Sequence, residues 1–70
     1  MVEELDEGKL EHLLEHWIGH NESHSKSFND WIIRLDAAGF KDVAENIRTA
    51  AVKMDECTEY LKQAKEVVRK

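Results

Sequence analysis

Ala37-Ala38-Gly39-Phe40 is the stretch that decides the fold. Gly39 can take the left-handed conformation that ends a helix, and Phe40 can supply the apolar contact that accompanies it. Helical patterns lie on both sides, and only a short turn fits between them. Neighbouring helices joined this way run antiparallel. The expectation is an all-α antiparallel helical hairpin forming one domain over residues 1–70, with a helix over about 6–38, a turn at 39 and a helix over about 41–69.

Downstream of the turn, apolar residues recur with a heptad period. Phe40, Ile47, Met54, Leu61 and Val68 occupy one position, and Val43, Ala50, Cys57 and Ala64 the other. Both sets are apolar or Cys throughout, which predicts a seam against a partner helix. The small second set implies close approach of a helix bearing large residues such as Trp17 and Trp31. Arg69 and Lys70 suit the negative end of the helix dipole.

Upstream, Asp6 is a plausible N-cap, with Glu7 favourable in the first turn and residues 1–5 a frayed lead-in. Leu10, Leu14, Trp17, Phe28, Trp31, Leu35 and Ala38 share one helical face, widened by Leu13, Ile18 and Ile32. Trp17, Phe28, Trp31, Ile47, Met54 and Leu61 are the expected core or interface residues. Where the stripe asks for apolar residues, Asn21 and His24 stand instead. One continuous helix with a polar patch is the simpler reading. The other is a break near residues 19–21, with Gly19 closing one helix and Asn21 capping the next, which would give three helices.

A chain of 70 residues is marginal for a self-sufficient core. Cys57 is the only cysteine, so an internal disulfide is excluded and a reducing, cytoplasmic setting is expected. Self-association and metal remain as supports. Pairing of two hairpins into a four-helix homodimer is therefore expected. The net charge of -5, with acids and bases interspersed, argues against a nucleic-acid partner. No apolar run is long enough to span a bilayer, and the acidic start Met1-Val2-Glu3-Glu4 does not resemble a secretory signal, so no membrane partner is expected.

All four histidines fall at intervals of four: His12, His16, His20 and His24. Histidines one turn apart on a helix point the same way and can share a metal ion. Successive members drift by about 40° around the axis. That places His24 in the apolar stripe, His20 at its edge, His16 on the flank and His12 nearly opposite. A straight helix keeps His16 and His24 too far apart to share one ion with His20. Pivoting about Gly39 sets residue 21 opposite residue 57, which brings Cys57 to the depth of Asn21. His16, His20, His24 and Cys57 are thus the candidate ligands for zinc, nickel or cobalt, and Asn21 could orient one of them. Against this stands a plainer reading, in which Cys57 is a small buried hydrophobe and Asn21 with His24 forms a buried polar layer that sets assembly. A third reading is a pH-responsive element, since adjacent histidines repel once protonated.

Catalysis has little support. His-Glu-x-x-His is absent, and no histidine has a glutamate three residues before it, as di-iron bundles require. No enzyme activity is expected.

The run from Leu13 to His24, followed by Phe28 and Trp31, resembles a small all-helical domain family of anaerobic bacteria and archaea. Its pattern is Leu-Leu-x-His-Trp-Ile-x-His-Asn-x-x-His, and no activity is settled for it. The resemblance covers the first half of the chain and implies that His16, His20, Asn21 and His24 belong together, without His12. Gly19 departs from the charged residue of that pattern, which bears on helix continuity.

Overall fold

The computed structural model describes residues 5–70. Of the expected lead-in, residues 1–4 lie outside the described residues. Two helices, α1 (Glu7–Ala37) and α2 (Lys41–Arg69), pack against each other as an antiparallel hairpin. The described residues contain no strand.

Each end of α1 follows from its local chemistry. Asp6 has an extended backbone, and its carboxylate accepts the Lys9 N–H at 2.8 Å, satisfying an otherwise orphaned donor. At the other end Gly39 adopts φ +88°. Its N–H donates to the Asp36 carbonyl at 3.2 Å, and the Phe40 N–H donates to the Leu35 carbonyl at 2.9 Å. This paired closure is the Schellman motif, and it turns the chain at once into α2.

No break occurs at residues 19–21: α1 is continuous, so the three-helix alternative gives way to two helices. Gly19 keeps helical geometry, and a β-carbon there would meet nothing within 4 Å. The serine-rich stretch after it is tied to α2. Ser25 is buried, and its hydroxyl donates to Asp55 Oδ1 at 2.7 Å, while the Asn29 amide donates to the Ser25 carbonyl at 2.9 Å. A buried hydroxyl with a carboxylate partner does not compete with the helix backbone as a solvated one would.

The contact between the helices is a heptad seam. On α1 it runs through Leu14, Ile18, Asn21, Ser25, Phe28, Ile32 and Leu35, all buried or half-buried. On α2 Ile47, Met54, Leu61 and Val68 lie in it, as expected, while Phe40 of that row is exposed at the turn, and the second row is Ala44, Ala51, Thr58 and Lys65. Val43, Ala50 and Cys57, assigned to that row by hydrophobicity alone, are exposed, and Ala64 is half-buried. Seam and expectation differ by one residue, which turns α2 by about 100° at the second row. Trp17 and Trp31 are likewise not core residues of the hairpin: 45% and 50% of their surface stays accessible. Their neighbours Ile18 and Ile32 face α2 instead. Leu14 and Ile32 are the large apolar side chains that are buried, each stabilising the fold by about 1.5–3 kcal/mol.

The two flanks of the seam differ in kind. Along one, acids of α1 meet bases of α2: Glu11–Arg69 at 3.9 Å, Glu15–Lys65 at 3.1 Å, Glu22–Lys62 at 3.5 Å and Asp36–Arg48 at 3.1 Å. Along the other, α1 presents a ridge of Leu10, Trp17, His24, Trp31 and Ala38, and α2 one of Val43, Ala50, Cys57 and Ala64. Neither ridge holds an Asp, Glu, Lys or Arg.

Candidate metal centre

The ladder rides on a single face of α1 that winds away from the seam. His24 lies on the uncharged ridge, His20 beside it, and His16 and His12 further out. All four are exposed. Helical spacing stacks the rings in a column. His16 and His20 have centroids 6.1 Å apart and nearly parallel planes. His20 and His24 are closer, at 4.5 Å and edge to face, and His24 leans toward Phe28 at 6.3 Å.

The closest approach in the column is between two nitrogens. His20 Nε2 and His24 Nε2 are 3.0 Å apart. In the bare chain that contact requires one ring to carry its proton on Nε2 and the other to leave Nε2 free. It is also close to the spacing of two imidazole nitrogens on one tetrahedral ion, about 3.3 Å for metal–nitrogen bonds of about 2.0–2.1 Å. The helix thus brings Nε2 of both rings within hydrogen-bond reach of each other, and a modest opening of that contact would match the spacing on an ion.

The other candidate ligands do not converge there. His16 stacks on the outer side of His20 and remains a ring neighbour. Cys57 is a free thiol whose sulfur receives the Asn21 amide at 3.6 Å. The depth relation between residues 21 and 57 is therefore realised, with Asn21 directed at the sulfur and not at a ring. Among the described residues, no group of three His, Cys, Asp or Glu side chains is placed to hold one ion. Two neighbouring ring nitrogens are fewer than the four ligands that structural zinc sites take.

Sequence reasoning overlooked the ion-paired flank. Glu15, Glu22 and Asp36 recur at multiples of seven, and so do Arg48, Lys62 and Arg69. That opposed periodicity marks which flank of each helix faces the other in an antiparallel pair.

Residues 10–68 match the family described as Domain of unknown function (DUF8180), and the chain belongs to that family. It is similar to an uncharacterized protein of Archaeoglobus fulgidus, with 33% identity over 60 residues, covering 86% of this chain and 95% of the relative. No solved structure matches.

Proposed function

We propose that this chain is a non-enzymatic helical protein that binds a divalent transition metal (zinc, nickel or cobalt) through its histidine ladder. His20 and His24 are the first ligands. The observation that carries this reading is the 3.0 Å convergence of their Nε2 atoms. Two neutral imidazoles suit all three metals, and the geometry leaves coordination positions open for water or for a further side chain. His16, one turn away, and Cys57 are the further donors within the same region. No helix among the described residues is long and apolar enough to cross a membrane. A lone thiol without a disulfide partner fits a cytoplasmic setting.

Calorimetric titration of tag-free protein with zinc and nickel salts tests the proposal. Saturable uptake by the native chain, abolished in a His20→Ala/His24→Ala variant whose helicity is intact, supports it. Equal heats from the two proteins would refute it.

A second reading rests on a different observation, the uncharged flank. Pairing of two hairpins through it would make a four-helix homodimer, with Asn21 and His24 as the polar layer that sets register. On this reading a chelator leaves the assembly unchanged.

A further inference from the structure

We infer that the uncharged flank is a self-complementary docking surface for a second copy of the chain, with α1 of each copy lying against α2 of the other. The inference rests on the pairing just proposed and adds its geometry and its contribution to the histidine site.

Exposed area is the first argument. The chain leaves 5631 Å² accessible at a mass of 8.2 kDa. A compact folded monomer of that mass exposes only about 4,500 Å². That excess belongs to the whole elongated chain, and the half-exposed Trp17 and Trp31 put part of it on this flank, where an interface of ordinary size would cover about 800 Å² per partner.

The side chains on the flank supply the second. The α1 ridge is tall, carrying Trp17 and Trp31. The α2 ridge is low, carrying Ala50, Cys57 and Ala64. Cross-helix bonds fix their levels: Asn21 meets Cys57, Ser25 meets Asp55 and Glu22 meets Lys62. Trp17 therefore stands within a turn of the level of Ala64, His24 of Cys57, and Trp31 of Ala50. Both tryptophans have an alanine at their own height.

A surface made of a ridge beside a groove of equal length can receive a twofold copy of itself. Two such arrangements are available. If the twofold axis runs along the hairpin, each tryptophan ridge enters the partner's alanine groove. If the axis crosses the hairpin, the tryptophan ridges collide, and the two alanine grooves face each other across a void. Close packing selects the first. The occupant is a second copy because the groove matches this chain's own ridge in spacing. Arg34 lies over the Trp31 ring at 4.2 Å, so it stays at the rim of the interface with its charge toward water.

One consequence reaches the metal centre. Cys57 is level with His24, so the chosen arrangement sets the partner's Cys57 across the interface from the His20–His24 pair. The partner's Cys57 is then the nearest additional sulfur for each His20–His24 pair, and the twofold axis makes the two locations equivalent.

Light scattering on the eluting protein, in the presence of a chelator, tests the pairing apart from the metal. The native chain is expected at twice 8.2 kDa. Ala50→Trp fills the groove at an exposed position, so the variant should keep its helicity but elute as a single chain. A native chain that stays monomeric at all concentrations overturns the pairing, while metal uptake remains open to calorimetry. Spin labels on a Lys41→Cys, Cys57→Ser chain then test the orientation. Both turns at one end give a separation below about 30 Å, since neighbouring helix axes are about 8–10 Å apart. A separation near the 51 Å length of the chain overturns the arrangement.

Discussion

The ion-paired flank and the uncharged flank border the same seam and do opposite work. On the first, four acid–base pairs join α1 to α2 within one chain, all with the acid on α1. Those side chains remain partly exposed, so each pair stabilises little but opposes slippage, because a shifted register sets them out of step. On the second flank nothing charged closes the seam, and two tryptophans stand half-exposed. Polar side chains finish a surface against water, whereas a large uncharged one is unfinished until something covers it. The contrast separates the residues that make the hairpin from those that would make an assembly.

Ile32 and Trp31 are adjacent in sequence and sit on opposite sides of that division, so paired truncations should give the largest effect. Ile32 is 6% exposed against α2. Ile32→Ala is expected to destabilise the hairpin by about 2–4 kcal/mol at every protein concentration, as removal of a buried side chain does. Trp31→Ala removes a larger side chain from a half-exposed position. Its effect should grow with protein concentration above the loss seen in dilute solution, because paired copies cover the half of the side chain that the single chain leaves exposed. Thermal melts of both variants over a hundredfold range of concentration check this. Equal losses at all concentrations would place Trp31 in the core of the single chain.

A smaller effect of opposite sign is expected at Gly19, which lies on neither ridge. A β-carbon there meets no neighbour within 4 Å. Gly19→Ala should therefore raise stability by about 1 kcal/mol through helix propensity alone. A melting temperature that falls instead would show that this backbone is approached by something other than solvent.

The turn and the register were legible in the sequence because both depend on a single residue. Only glycine enters the left-handed conformation readily, so Gly39 fixed the pivot, and the pivot placed Cys57 at the depth of Asn21. The facing of each helix was not legible from hydrophobicity. Apart from Lys65, three neighbouring heptad positions of α2 are apolar or small, and Val43, Ala50, Cys57 and Ala64 form a better hydrophobic row than Ala44, Ala51, Thr58 and Lys65. A stripe that wide holds enough apolar surface for two neighbours, and its period alone does not say which half belongs to which. Thr58 is buried in the true seam because its hydroxyl donates to the Met54 carbonyl at 2.9 Å, a solution that hydropathy does not reveal. Lys65 reaches out of the seam to Glu15 in the same spirit. The histidine pair was legible as a spacing. The convergence of its nitrogens depends on ring rotation, which sequence does not encode directly.

The ion-paired flank should yield the smallest effect, and the one that most directly tests its assigned role. Lys65 is its least exposed base, with 24% of the side chain accessible, and it meets Glu15 at 3.1 Å. Glu15→Lys places two cations together, and Lys65→Glu two anions. Each single change should lower stability by about 0.5–1 kcal/mol, an effect that weakens as salt is raised through the screening range. The double exchange restores an opposite pair with reversed polarity, and should recover most of the loss. Its neighbours Glu11–Arg69 and Glu22–Lys62 keep the original polarity, so the exchanged pair is surrounded by charges of the wrong order. Recovery that is complete would mean the pairs act singly. Recovery that falls short, and more so at low salt, would mean that the common direction of the ladder itself resists slippage of one helix past the other.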